Sequence, residues 1–154
     1  MLTNFECALH PSISQANREK LLSIVIVGGG PTGVEFGAEL YDFLRQDVSR
    51  LYKEEQDLIH VYLIEGRQIL ASFSSKQQEY ATAKIRARGQ MELVRANVTE
   101  VRSDGVTLSD GRDIPCGLVV WSTGLYPRVL LLAVMAICLP DSSWQLEITY
   151  ASTY

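Results

Sequence analysis

No stretch of this 154-residue sequence reaches the ~20 consecutive apolar residues that a membrane-spanning helix needs. The nearest approach is Val129–Leu139, which follows Pro127 and Arg128 and reads as a buried core segment or a stretch of no structural role. A signal peptide is missing too, because Glu6, His10 and Pro11 interrupt any apolar run at the start. An Arg-rich, acid-poor leader is equally absent, so any organellar address is expected to lie outside this chain. Cysteine is scarce: Cys7, Cys116 and Cys138 are odd in number and far apart. They form neither a CxxC pair nor a zinc spacing, and a reducing compartment is the simplest setting. With only His10 and His60, no histidine-based metal site or catalytic triad can be assembled. A basic excess is also lacking. Fourteen Lys and Arg against 18 Asp and Glu leave a formal charge of -4, which argues against a nucleic-acid-binding face.

What is present is an ordinary globular composition, 47% apolar and 21% charged. A chain of this length is one domain or part of a larger protein, at roughly 100–200 residues per domain, and buries a core without staples. Residues 1–20 are polar and mixed and read as a connector. Leu21–Val27 (LLSIVIV) is a short Ile/Val-rich run ending in three glycines, as expected of a central parallel strand covered by helices above and below.

Pro31 suits the first position of a following helix. Val34, Gly37/Ala38, Tyr41, Leu44, Val48 and Leu51 recur at spacings of three and four and predict one buried stripe. Run to Glu55, that helix would be about 37 Å long against strands of roughly 23 Å. A break is therefore expected near Gln46–Ser49, with Asp47 capping a shorter second helix. Leu58–Ile64 is a second buried strand containing His60, which reads as a core histidine. Glu54, Glu55 and Asp57 read as a solvated helix end. Ser75 with Gln78 forms a capping-box pattern, and Gly89 closes the helix after Arg86 and Arg88. Asn97–Ser103, Val106–Ser109 and Arg112–Pro115 are separated by Asp104-Gly105 and Asp110-Gly111, which are hairpin signals. Leu118–Trp121 is a last buried strand, with Trp121 in the core. The expected fold is an α/β doubly wound parallel sheet, a Rossmann-like unit in which an antiparallel β-meander replaces one crossover helix.

The glycine loop carries the chemistry. In VGGGPTGVEFGAEL, Gly28, Gly30 and Gly33 stand in GxGxxG register between a strand and a helix. Gly28 permits the tight turn, Gly30 lets the backbone approach a pyrophosphate, and Gly33 lets the helix pack on the strand. The helix N-terminus supplies the anion site. The fingerprint also asks for an acid about 20 residues on, at the end of the second strand. Glu65 has that position but lies 32 residues beyond Gly33, the surplus being the Asp42–Gln56 extension. A carboxylate there accepts ribose hydroxyls and repels a 2′-phosphate, which favours NAD. Arg67 could instead favour NADP. Glu35, read as lying in the first turn of the helix, admits two readings: an acid stabilised by the helix dipole, or an acid beside a bound cofactor.

GGGPTGVEFGAEL, DFLRQDVSRLY, LIEGRQIL and VVWSTG together resemble the NADH-binding domain of type II, non-proton-pumping NADH:quinone oxidoreductases, members of the FAD/NAD-linked pyridine nucleotide reductases. The resemblance covers roughly Leu2 to Gly124. It implies a connector from an FAD domain at 1–20, an NADH-binding domain at 21–125 and an atypical apolar tail at 126–154. It implies hydride transfer from NADH to FAD and electron transfer to a quinone, at the mitochondrial inner membrane as a peripheral protein, with self-association as a homodimer. By matching position, Gly28, Gly29, Gly30, Pro31, Thr32 and Gly33 would hold the NADH pyrophosphate and Glu65 the adenosine ribose. Glu35 would lie near the nicotinamide, and Thr123 and Gly124 would form the turn that returns to the dinucleotide.

The departures are a missing second GxGxxG for FAD, a missing C-terminal membrane and quinone segment, and no D-x-D-x-D-G calcium loop. The ending VLLLAVMAICLPDSSWQLEITYASTY leaves the family pattern and reads as that of a truncated or misread gene product, inactive alone. Rival readings are another two-dinucleotide flavoprotein reductase and a non-catalytic nucleotide-binding module. Deleting Arg128–Tyr154 should raise solubility, because an uncovered apolar run promotes association, while leaving NADH binding intact. Loss of binding on deletion, measured by titration, would show that the tail belongs to the folded unit.

Overall fold

The computed structural model describes residues 1–52 and 56–123. Its elements are α1 (Leu2–Ala8), α2 (Gln15–Leu22), β1 (Ser23–Val27), α3 (Pro31–Phe43), a π-helical turn at Leu44–Val48, α4 (Ser49–Leu51), a 3-10 turn at Gln56–Leu58, β2 (His60–Ile64), α5 (Ser75–Arg86), β3 (Met91–Val94), β4 (Val98–Arg102), β5 (Gly105–Leu108), β6 (Asp113–Pro115) and β7 (Leu118–Trp121). Two sheets result. One is parallel, in the order β3-β2-β1-β7, and the other is an antiparallel meander, β4-β5-β6. The doubly wound fold class expected from the sequence is the one observed.

All five residues of β1 are buried, and their alternation divides the interior. Ile24 and Ile26 join Phe5, Leu22, Leu40, Val61, Leu63 and Ile85 in a core on the helical face. Val25 and Val27 join Val94, Val106, Leu108, Ile114 and Cys116 on the other. The second face is thus covered by the meander, not by helices as the sequence implied. Its hairpins turn where expected: Gly105 and Gly111 have φ of 158° and 84°, and Asp110 accepts from the Arg112 N–H at 3.1 Å. Cys7 and Cys116 are free thiols, and burial pushes the Cys116 thiol up from its ordinary pKa.

Several local expectations shift. Residues 1–20 are mostly helical, and α1 packs into the core through Phe5 and Ala8, 2% and 0% exposed. The Phe5 ring stacks on Tyr52 with centroids 5.5 Å apart, and the Asn4 side chain donates to the Gly117 carbonyl at 2.8 Å. Apolar burial of a phenylalanine stabilises by about 2–3 kcal/mol, enough to hold a seven-residue helix that could not persist alone. The break in the long helix is a widened π turn, so Asp47 caps nothing. That turn rotates the buried stripe onto Leu40, Leu44 and Val48 and leaves Leu51 74% exposed. His60 is exposed, not a core histidine, because it opens β2 at the sheet's uncovered end. The capping box sits one residue earlier than predicted, with Ser74 donating through N–H and Oγ to Gln77 Oε1. Strand β3 was hidden in the sequence, since Met91–Val94 is short and carries Glu92 on an exposed position. No helix among the described residues is long and apolar enough to cross a membrane. The tail from Gly124 onward lies outside the described residues.

A Cβ on Gly33 would fall well inside contact distance of the Gly28 carbonyl oxygen, which is backbone and cannot swing away. Gly33→Ala should therefore destabilise the fold by roughly 3 kcal/mol. Urea unfolding checks this, and a cost below about 1 kcal/mol would contradict the packing.

Candidate dinucleotide site

The glycine loop leaves β1 at the C-terminal end of the parallel sheet, where the chain has gone to β2 and β3 on one side and to β7 on the other. Open α/β sheets form their crevice at such a switch point. From the β2 side, Gly28 N–H donates to the Ile64 carbonyl at 2.9 Å and Leu70 N–H donates to the Gly29 carbonyl at 2.7 Å. Gly29 N–H donates to Glu65 Oε2 at 2.8 Å, while Glu65 Oε1 accepts from Arg67 N–H at 2.9 Å. Leu70 adopts a left-handed φ of 53°, a strained conformation for a branched residue, at the point where it reaches the loop. From the β7 side, Ser122 Oγ shares its one proton between the Val27 and Gly28 carbonyls, at 2.9 and 3.2 Å. Ser122 N–H also donates to Val27 O at 2.8 Å.

The glycines divide the work. Gly28 turns at φ 116°, where a Cβ would press on Thr123 and Ser122, and a Cβ on Gly29 would strike Ile69 and Glu65. Gly30 alone of the four in Gly28–Gly33 has nothing within 4 Å of its added Cβ. It is the N-cap of α3, with Pro31 following at the first helical position. The first intrahelical bond is Val34 N–H to Gly30 O, at 3.0 Å, so the Thr32 and Gly33 N–H groups have no partner within the helix. Open space and unpaired donors therefore coincide at Gly30, as an anion cradle requires.

Beside this cradle is a cavity of about 250 Å³ whose walls include Gly28, Glu65, Gly66, Asn97, Trp121 and Thr123. Trp121 is 55% exposed and edges this cavity, a correction to its expected core position. Among the described residues β7 has a neighbour only on its β1 side, and its burial falls off along the strand. Glu35 is exposed and stands one position past the first turn of α3, so the dipole argument applies to it less than the sequence implied. Thr123 is exposed at the cavity, and Gly124 lies outside the described residues. Among the described residues no group of three metal-ligating side chains occurs. Sequence reasoning missed Ser122, whose hydroxyl was legible only as part of WSTG, and missed that Glu65 grips the loop.

This fold is a Rossmann-like unit with a candidate dinucleotide site at its glycine loop. The chain belongs to the pyridine nucleotide-disulphide oxidoreductase family, which it matches over residues 5–144. It is 46% identical over 127 residues, 82% of this chain and 26% of the relative, to the internal alternative NAD(P)H-ubiquinone oxidoreductase A1, mitochondrial, of Solanum tuberosum. It is 43% identical to a probable NADH dehydrogenase of Dictyostelium discoideum, over 79% of this chain and 27% of the relative. Among solved structures it is similar to NDH2 from Plasmodium falciparum in complex with NADH, with TM-score 0.75, 28% identity, and coverage of 84% of this chain and 28% of that one. The chain thus spans about a quarter of the length of the curated relatives it matches.

Ser122→Ala should cost about 1 kcal/mol of stability, the net value of a hydrogen bond whose loss leaves the Gly28 carbonyl short of a partner. Thermal unfolding reads it, and an unchanged Tm would mean that the hydroxyl does not anchor the loop.

Proposed function

We propose that this chain is the NADH-binding portion of a flavin-dependent NADH:quinone oxidoreductase. The observation that carries the reading is the junction of Gly30's open cradle with the Glu65 carboxylate, fixed 2.8 Å from Gly29 N–H. In this reading the pyrophosphate lies over Gly28–Gly33, with Pro31 presetting the helix start and the Thr32 and Gly33 N–H groups donating. Each Glu65 oxygen already accepts one backbone N–H and keeps lone-pair capacity for a ribose hydroxyl. The nicotinamide lies toward Glu35, and Thr123 with Gly124 closes the turn over the dinucleotide. FAD bound in the intact protein would supply the hydride-accepting and electron-relaying chemistry between NADH and a quinone, while the residues here would hold and orient the NADH. The described residues carry one nucleotide fingerprint, so FAD belongs to protein beyond them. The domain limits 21–125, the homodimer and the peripheral position on the mitochondrial inner membrane are parts of the same proposal, and mitochondrial relatives support the compartment alone.

What these residues do is bind, orient and select. Glu65 places a fixed negative charge where a 2′-phosphate would enter, so NADH should bind at least about tenfold more tightly than NADPH, or ~1.4 kcal/mol. A Cβ at Gly30 has open space around it, so Gly30→Val should fill the cradle and weaken NADH by about tenfold or more while leaving the domain folded. Glu65→Gln should narrow the gap between the two nucleotides. It should also weaken both, since an amide offers one oxygen where two N–H groups need acceptors. Fluorescence titration of the purified chain decides. Equal affinities in the wild type, or wild-type binding by Gly30→Val, would overturn the assignment.

A further inference from the structure

The open corner of the glycine loop is oriented by residues well away from it. Leu70 N–H donates to the Gly29 carbonyl at 2.7 Å. A trans peptide is planar, and no cis bond occurs among the described residues. Fixing the Gly29 carbonyl therefore also fixes the Gly30 N–H, which points the opposite way. That N–H stands at the corner where an added Cβ meets nothing within 4 Å. Leu70 makes its bond in a left-handed conformation, φ 53°, which a branched residue keeps only when its surroundings hold it there. Its side chain is only half-buried and belongs to neither core, so packing does not supply the hold.

The hold comes from α5. Gln78 Nε2 donates to the Leu70 carbonyl at 3.1 Å and to the Phe73 carbonyl at 2.8 Å, which engages both hydrogens of its amide. Phe73 N–H donates to the same Leu70 carbonyl at 2.8 Å, so the turn from Leu70 to Phe73 is closed across Gln78. Between Ser75 and Tyr80, Gln78 alone is not fully exposed. We propose that Gln78 is a positioning residue for NADH: through Leu70 it holds the Gly29–Gly30 peptide so that the Gly30 N–H faces the pyrophosphate. This rests on the NADH reading above. Without the amide donors, Leu70 relaxes out of its left-handed conformation and its N–H leaves Gly29. The loop then samples orientations that do not bind, and apparent affinity falls with the competent fraction.

The test uses the full 154-residue chain, with NADH titration by fluorescence and amide hydrogen exchange read by NMR. Gln78→Met keeps the length and neutrality of the side chain and removes both donors. It should weaken NADH about fivefold, a competent fraction of about one fifth, and speed exchange of the Leu70 amide by at least about that factor. Adding Leu70→Gly should restore both, because glycine adopts a positive φ without strain. A role confined to the packing of α5 would not respond to a change at residue 70. Wild-type NADH affinity in Gln78→Met overturns the proposal, and so does a loss that Leu70→Gly leaves unrepaired. If the wild-type chain binds no NADH, the functional reading fails and exchange decides alone. A Leu70 amide equally protected in wild type and Gln78→Met then overturns the hold of Gln78 on the loop, and faster exchange repaired by Leu70→Gly sustains it.

Discussion

The glycine loop holds its shape because the carboxylate of Glu65 takes the Gly29 N–H. Gly29 has two backbone groups, and both are spent on the connection after β2: its N–H on Glu65 and its carbonyl on Leu70. Ser122 grips the same loop from β7. The loop is therefore clamped between the two strands that flank β1, and only its Gly30 corner and the first turn of α3 remain open. A ligand meets donors that are already aimed, so little ordering entropy is lost on binding.

That clamp works only if β1 stays central, and the two cores enforce it. Ile24 and Ile26 are sealed by helices while Val25 and Val27 are sealed by the meander. A one-residue slip of β1 would exchange the two sets. The meander also carries its own charge network, with Arg102 paired to Asp104 and Asp113 at 3.3 and 3.1 Å. Asp104 and Asp113 are exposed and Arg102 is half-exposed, a setting where ion pairs contribute little, so the face is held chiefly by Val106, Leu108 and Ile114.

Much of this was legible in the sequence because its signals are local. A strand, three glycines and a helix-starting proline are contiguous, and Asp-Gly dipeptides mark hairpins by backbone preference alone. The fold family was visible for the same reason. Tertiary facts were not. The burial of Phe5 depends on Tyr52, the exposure of Leu51 on one widened turn, and the exposure of His60 and Trp121 on where a strand meets the edge of its cover. Strand β3 escaped notice because four residues carry too little alternation to separate from a loop. Glu65 was found by its position at a strand end, although the usual count failed; its bond to Gly29 spans 36 positions and has no sequence signature.

Glu65 and Arg67 sit two residues apart with opposite consequences for the proposed ribose site, and geometry decides between them. Glu65 is partly buried and fixed by two short charge-assisted bonds, which are roughly twice as strong as neutral ones. Its carboxylate is thus held in place before any ligand arrives. Arg67 is exposed, and ordering its long side chain costs up to about 2 kcal/mol while salt screens its charge. At the ribose edge itself the ordered acid therefore outweighs the mobile base.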